Sequence, residues 1–249
     1  MPKRAPKRTA QQRRHLILET AQAMFAASNY TRVSTAELAK AAGISEPALY
    51  RYFPSKKALF ISTIKAAGKR LLDIWERLAG ELVDPSEVIR AIGLGYYYHL
   101  RSHAPVMKLL FQALSEADDE DIRQALRDNF AAFVRFLEEN IEEGKRHGLI
   151  RQDVNPSVAA WQFMAFGLAL DLIHLLALDE KLSHNHVEEW EELYLDSIRE
   201  RAPEGGGAAG HVMAKGFDRH MVEDWRELYL GSIEEGDSWW RLGERFPRF

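Results

Sequence analysis

The spacing of the apolar residues most constrains this fold, because it is helical along the whole chain. Apolar side chains recur every three or four residues, and no segment alternates as a half-buried strand would. One face joins Leu16, Thr20, Met24 and Phe25, and a second stripe joins Ile122, Leu126, Phe130, Phe133, Leu137 and Ile141. The pattern predicts an all-α chain of eight to ten helices.

Capping residues set the expected limits of several helices. Thr9 is a suitable N-cap for the first helix, and Gly148 is a C-cap after a helix expected from about 119 to 147. Asp84-Pro85 and Asn155-Pro156 each open a helix, since proline is tolerated in a first turn. Ala104-Pro105 interrupts the helix that opens at Pro85. The connections are therefore short, as in a helical bundle.

The most apolar stretch runs from Val158 to Leu178 and is long enough to span a bilayer. Gln162, Asp171 and His174 interrupt it, which favours a buried helix of a soluble bundle over a membrane span. The basic N-terminus has no apolar segment behind it, so no secretory signal and no membrane partner are expected. The chain has no cysteine, which excludes disulfides and thiolate metal sites. We expect a cytoplasmic protein.

The net charge of −4 conceals a division along the chain. Residues 1–70 contain 14 Lys/Arg and 3 Asp/Glu, a net of +11, and residues 71–249 contain 19 and 34, a net of −15. A basic front on an acidic body predicts a polyanionic partner for the front alone.

Residues 32–59 read RVSTAELAKAAGISEPALYRYFPSKKAL and predict three helices. Thr35, Ser45 and Ser55 are their expected N-caps. Gly43 lies in the turn between the first two helices and is expected to take a positive φ. Two short helices joined by such a turn form a helix-turn-helix, whose second helix enters the DNA major groove.

Three runs of residues in this segment resemble the TetR family of transcriptional regulators. They are Thr35-Ala36-Glu37-Leu38-Ala39, Ala42-Gly43-Ile44-Ser45 and ALYRYFPSKKAL from Ala48 to Leu59. The resemblance covers about residues 10–60 strongly. Residues 71–200 match only in helical layout and in the connection from Gly148 to Pro156.

The resemblance implies a basic arm at 1–9, a three-helix DNA-binding domain at 10–56 and a larger helical effector-binding and dimerisation domain at 57–201. A homodimer would bind a near-palindromic operator in double-stranded DNA and release it when a small-molecule effector binds, as a repressor does. An activator, or a constitutive DNA-binding protein without an effector, is the alternative. An enzyme is not expected, since no nucleophile elbow, metal motif or phosphate loop is present.

The resemblance also places the DNA contacts, mostly on the second short helix. Ser45, Glu46, Pro47 and Ala48 lead that helix near the base edges, Tyr50, Arg51 and Tyr52 follow, and Thr35 and Lys56 match positions that bind phosphate. Glu46 either accepts a hydrogen bond from cytosine or caps its helix. An arm with Lys3, Arg4, Lys7, Arg8, Arg13 and Arg14 either enters a minor groove or is a solvating tail. Leu38, Ile44, Leu49 and Phe53 are expected in the core.

The predicted effector site is aromatic and apolar with a few polar groups, which suits a hydrophobic or aromatic small molecule. Its candidate residues are Tyr97, His99, Met107, Phe111, Phe130, Phe133, Met164, Asp171 and His174. Many such residues must instead form core or dimer interface. Asp171 and His174 point either at the ligand or at the dimer seam. No cofactor or metal site is expected, since the pair His99 and His103 has no third ligand.

Residues 202–210 are glycine-rich and predict a flexible linker. The linker separates VEEWEELYLDSI at 187–198 from VEDWRELYLGSI at 222–233, which are identical at nine of twelve positions. Each copy places Val, Trp, Tyr and Ile on one helical face, so residues 211–249 are predicted to repeat one amphipathic helix. The second copy either packs beside the first or exchanges into a partner subunit.

Overall fold

The computed structural model describes residues 9–102, 105–178 and 182–200, with side chains at all of these except 98, 99, 101, 102, 105–107 and 184. Helices account for most of the described residues, and the all-α prediction is confirmed. They are α1 (Ala10–Ala27), α2 (Thr35–Ala41), α3 (Glu46–Tyr52), α4 (Lys56–Glu81), α5 (Pro85–Ser102), α6 (Pro105–Ser115), α7 (Glu120–Arg146), α8 (Pro156–Leu175) and α9 (His184–Ile198). Ile150 and Arg199 form an isolated antiparallel bridge.

Most of the predicted caps are confirmed, and one is wrong. Thr9 caps α1 in a reciprocal capping box with Gln12, and Asn155 accepts two backbone N–H bonds at the start of α8. The N-cap of α2 is Ser34 rather than Thr35. Ser34 has extended backbone and accepts from the Glu37 N–H, while the Glu37 carboxylate accepts from the Ser34 N–H. Because this box satisfies two free N–H groups, it places Thr35 inside the helix.

The turn from α2 to α3 depends on a glycine, as the sequence predicts. Gly43 has φ of +68°, in the left-handed region. Its N–H donates to Lys40 O, and the Ile44 N–H donates to Ala39 O, at 3.1 and 2.9 Å. This Schellman pattern ends α2 and reverses the chain into α3. Gly148, with φ of +70°, ends α7 in the same way.

The described residues form two compact units. The first contains α1, α2, α3, α4 up to Lys69, α6 and the start of α7. Its core is built around Phe25, Leu38, Leu49 and Phe60, each at most 1% exposed. The Phe25 and Phe60 rings meet edge to face at 4.9 Å.

The second unit contains residues 70–102 and 130–178 together with 182–200. Its core lies between α5, α8, α9 and the ends of α4 and α7 that belong to it. The linker at 202–210, the repeat at 211–249 and the first eight residues of the arm lie outside the described residues. The predicted domain limits therefore stay predictions.

Helix α8 is long and apolar enough to cross a membrane by length and composition, a test that core helices also pass. It is buried along one face, at Ala160, Phe163 and Leu170. On another face Val158 and Trp161 are 56% and 53% exposed. One side of α8 is thus buried, as the sequence predicts, and no described residue covers the other side.

Candidate DNA interface and effector site

Helix α3 is held against the core by its apolar residues. Leu49 and Phe53 are 1% and 3% exposed, and Ile44 is partly buried, so the core predictions for this region are confirmed. The opposite side of α3 faces solvent at Pro47 and Arg51. A short helix with one side buried and a polar side exposed has the form of a major-groove reader.

A hydrogen-bond network ties the beginning of α2 to α3. The Thr35 hydroxyl donates to Glu46 Oε1 at 2.5 Å, and the Tyr50 hydroxyl lies 3.2 Å from Thr35 Oγ1. Glu46 is the first residue of α3, so its carboxylate lies between the two helices of the motif. The network brings together three of the predicted DNA-binding residues and fixes the angle at which α3 is presented.

Lys56 fastens the loop after α1 to the start of α4. Its Nζ donates to Tyr30 O at 2.9 Å, Val33 O at 3.1 Å and Thr31 O at 3.4 Å, and lies 4.6 Å from the centre of the Tyr30 ring. An ammonium has three N–H groups, and here each has an acceptor. In this structure Lys56 therefore stabilises the head, and its phosphate contact stays a prediction.

The remaining predicted DNA-binding residues are on or beside α3. Ser45 is the N-cap by position, but its side chain makes no capping hydrogen bond and is exposed. Ala48 and Tyr52 are half-buried. Two of the six arm residues are placed differently from the prediction: Arg13 and Arg14 belong to α1, which begins at Ala10. The Arg14 guanidinium lies 4.8 Å from the Phe53 ring centre, so it packs on the end of the reading motif.

The second unit contains two buried acids against α5. Asp171 of α8 is 1% exposed and accepts a hydrogen bond from the Tyr96 hydroxyl at 2.7 Å. Burial raises the pKa of Asp171 to about 6, although the Tyr96 hydrogen bond and the nearby His174 oppose the increase. Glu191 of α9 is also 1% exposed, and burial raises its pKa to about 9. Both carboxyls are costly to ionise in this environment.

The helices that carry these acids also carry aromatic rings that pack on one another. Phe166 meets Trp190 edge to face at 4.5 Å, and Phe163 lies 5.5 Å from Tyr194. Elsewhere in this unit Trp75 lies 5.1 Å from Phe133, and its indole N–H has no acceptor among the described residues. The interior thus combines large apolar surfaces with a few polar groups, as ligand sites do.

Residues 17–63 match the family model described as bacterial regulatory proteins, tetR family. The matched segment is the DNA-binding domain of the TetR family. The chain is a DNA-binding transcription regulator with a helix-turn-helix of this family, and its structural neighbours are regulators.

The chain is similar to curated proteins over part of its length. It is 29% identical to the nucleoid occlusion factor SlmA of Marinobacter nauticus, over 59% of this chain and 74% of that one. It is 30% identical to the transcriptional regulator EthR of Mycolicibacterium smegmatis, over 47% of this chain and 54% of that one. The chain thus spans about half the length of EthR.

Solved structures also share its fold, and two of them contain a bound small molecule. A Saccharomonospora viridis regulator in complex with choline has a TM-score of 0.62 and 23% identity, covering 77% of this chain and 100% of that one. FadR of Bacillus subtilis in complex with stearoyl-CoA has a TM-score of 0.61 and 16% identity, covering 73% and 95%. At these identities the likeness establishes the fold alone.

Only some of the predicted effector residues lie in the second unit with a buried or half-buried side chain. In the second unit Tyr97, Phe133 and Asp171 are buried, and Phe130, Met164 and His174 are half-buried, whereas Phe111 is half-buried in the first unit. The side chains of His99 and Met107 lie outside the described set.

Sequence reasoning missed three groups in the second unit: Trp75, Gly93 and Glu191. The sequence itself indicated that Glu191 is buried. It follows Val187 by four residues and precedes Ile198 by seven, so it falls on the apolar face of an otherwise acidic helix. A charged residue at an apolar position is informative because it is rarely buried without a purpose.

Proposed function

We propose that this chain is a repressor that binds a near-palindromic operator as a homodimer and releases it when a small molecule binds in the second unit. The observation that carries the proposal is the presentation of α3. Leu49 anchors the helix in the core, the Thr35–Glu46–Tyr50 network fixes its angle, and Ser45, Pro47 and Arg51 remain exposed. This arrangement suits base contacts from the start of α3 and a phosphate contact from Arg51.

The homodimer is supported by the uncovered side of α8. Val158, Trp161 and Leu172 are 49–56% exposed and follow one another at spacings of three and eleven residues, close to one helical face. Leu193 on α9 is 70% exposed. Large apolar side chains grouped in this way mark an interaction surface, and a second copy of the chain would supply a matching one.

Release of the operator by an effector is supported by the contacts of α6 and α7 inside the first unit. Leu109 and Ala113 of α6 are buried in its core, and Gln112 Nε2 donates to Ser28 O at the end of α1 at 3.0 Å. Lys57 of α4 pairs with Asp119 and Asp121 at the start of α7, at 3.0 and 2.7 Å. A shift of α6 or α7 would therefore move the reading head as well.

An operator selected from a random duplex library tests the DNA contacts. Fluorescence anisotropy should show that an Arg51→Ala/Lys56→Ala double variant binds every sequence more weakly, whereas Ser45→Ala or Ala48→Gly changes the preferred sequence. Thermal unfolding of the same variants separates a loss of contact from a loss of structure. Wild-type affinity of the double variant at physiological salt would contradict this placement of α3.

A DNA-binding factor without an effector is a second candidate, favoured by the similarity to SlmA, a nucleoid occlusion factor. The complexes of the two structural neighbours with choline and stearoyl-CoA favour an effector instead. A thermal-shift screen of small apolar compounds, followed by operator release, distinguishes the two. If no compound shifts the melting temperature or releases the operator, the constitutive function is the correct one.

A further inference from the structure

Glu191 is the most unusual buried group of the described residues. It is 1% exposed, and neither of its carboxyl oxygens forms a well-aligned hydrogen bond among the described residues, although the Leu94 N–H of α5 is close enough to act against the rise of its pKa. The carboxyl lies against the α5 backbone, where a Cβ at Gly93 would overlap Oε1, and beside the Phe163 ring. Because burying a polar group without a partner costs roughly 1–3 kcal/mol, its presence on this face needs a reason.

The charged residues nearest to Glu191 already neutralise one another. Arg90 pairs with Glu87 and Glu192, and Arg199 pairs with the same two carboxylates at 3.0 Å each. Two guanidiniums are thus matched by two carboxylates in a closed ring. Glu191 takes no part in this ring; the Arg90 charge favours its ionisation, and the charges of Glu192 and Glu87 oppose it.

Asp171 brings a second buried carboxyl to the same side of α5. Glu191 lies against Gly93, and Asp171 accepts its hydrogen bond from Tyr96, three residues further along the helix. Residues three apart on a helix are neighbours on one face. Two acids, one from α8 and one from α9, therefore approach α5 at positions that are three residues apart.

Aromatic rings lie near the two acids: the Phe163 ring is beside Gly93 and Glu191, and the Tyr96 hydroxyl donates to Asp171. Phe163 and Phe166 are 6.2 Å apart on α8, Trp190 meets Phe166, and Tyr194 faces Phe163. Ring faces attract cations, and carboxylates supply the counter-charge, so the combination is suited to an organic ammonium. Two buried acids disfavour an anionic head for the same electrostatic reason.

We propose that Glu191, Asp171 and the rings between α5, α8 and α9 bind the cationic head of an apolar organic ammonium, with the Glu191 carboxylate as its counter-ion. The proposal rests on the effector-responsive function above and specifies the chemical class of the effector.

Binding of such a cation should release a proton. Burial raises the pKa of Glu191 to about 9, so at pH 7 the free protein holds it protonated. The charged groups that act on it are Arg90 and Glu87 of α5 and Glu192 of α9. The titratable groups of α8 are Asp171 and His174, and the His174 charge acts on Asp171. A fixed cation favours the ionised carboxyl, so its affinity should rise by up to about tenfold per pH unit from pH 7 to 9.

The test uses three probes with the same chain and different heads: octyltrimethylammonium, octanoate and octanol. Differential scanning fluorimetry of the full chain should show the largest stabilisation with the ammonium. Isothermal titration in two buffers of different ionisation enthalpy should show about one proton released. Since octyltrimethylammonium does not titrate, the proton must come from the protein.

Glu191→Gln should weaken octyltrimethylammonium binding at least tenfold, abolish the proton release and change octanol binding less than threefold. Glu189→Gln removes the same charge from an exposed position of α9 and should bind as the wild type does. Asp171→Asn is a second variant on the same side of α5, and it should weaken octyltrimethylammonium binding less than Glu191→Gln does. Full binding by Glu191→Gln, or equal stabilisation by octanoate, would overturn the proposal.

Operator release, measured with the same probes, separates this proposal from the general function. Release by octanol or octanoate but not by the ammonium would uphold an effector-responsive repressor and reject the cation site. Charge-selective binding that Glu191→Gln abolishes, with no release of DNA, would uphold the site and reject effector control.

Discussion

Lys56→Met removes the ammonium that fastens the loop after α1 and keeps the apolar part of the side chain. Three backbone carbonyls, at Tyr30, Thr31 and Val33, lose their donor. The perturbation separates two roles of one lysine, because a clamp acts on stability and a phosphate contact acts on DNA affinity.

The expected cost follows from the geometry. A hydrogen bond to a charged group contributes about 1.5–3 kcal/mol when well formed. Two of the three bonds are short, the third is 3.4 Å, and the site is half-buried, so water replaces part of the loss. We expect a net loss of about 2 kcal/mol, which corresponds to a decrease in melting temperature of about 4–8 °C for a chain of this size.

Thermal unfolding followed by circular dichroism measures the loss of stability, and the salt dependence of operator binding measures the DNA contact. Each phosphate contact contributes about 0.9 to the slope of log K against log salt. Arg51→Ala, a control at an exposed residue, should lower the slope by about this amount and leave the melting temperature unchanged. An unchanged melting temperature for Lys56→Met, with a lower slope, would refute the clamp and identify Lys56 as a phosphate contact.

Three further outcomes are expected. Gly43→Ala places a side chain on a residue with φ of +68° and should lower the free energy of unfolding by about 1–2 kcal/mol, although the added Cβ meets no atom within 4 Å. Gly80→Ala, a control inside α4 where the added Cβ also meets nothing, should not lower the melting temperature. Asp171 ionises in the unfolded chain near pH 4 and in the folded protein near pH 6, so the free energy of unfolding of the wild type falls as pH rises between these values. Asp171→Asn does not ionise, so its free energy of unfolding should increase relative to the wild type by about 2 kcal/mol across that range and stay higher above it. A difference in urea unfolding that does not change with pH would contradict this. Trp161→Glu should convert dimer to monomer in analytical ultracentrifugation while Ser157→Glu, exposed in the first turn of α8, leaves the dimer intact; a dimeric Trp161→Glu would exclude this face of α8 as the interface.

The local structure was largely predictable because its causes are local. Thr9, Asn155, Gly43 and Gly148 act within four residues of their own position, and the structure uses each as the sequence predicts. The Thr35 cap failed for a local reason too. Ser34 and Glu37 form a reciprocal box, which satisfies two N–H groups where a Thr35 cap offers one.

The effector unit was less predictable, because burial there depends on contacts distant in sequence. Periodicity identifies a residue as inward-facing but does not say which residue of another helix it meets. The contact of Glu191 with Gly93 joins positions almost a hundred residues apart, and that of Asp171 with Tyr96 joins positions 75 apart. Phe111 shows the same limit, since its apolar character does not reveal that α6 belongs to the first unit.

The sequence by itself determined the helical class, the basic head and the helix-turn-helix. These features depend on periodicity, charge and capping within short windows. Only the tertiary structure decided that Lys56 holds the loop after α1, that one side of α8 stays uncovered by the described residues, and that Glu191 is buried outside the neighbouring ring of ion pairs. The physical reason is that solvation of a side chain is set by whatever packs over it, and distant segments do that packing.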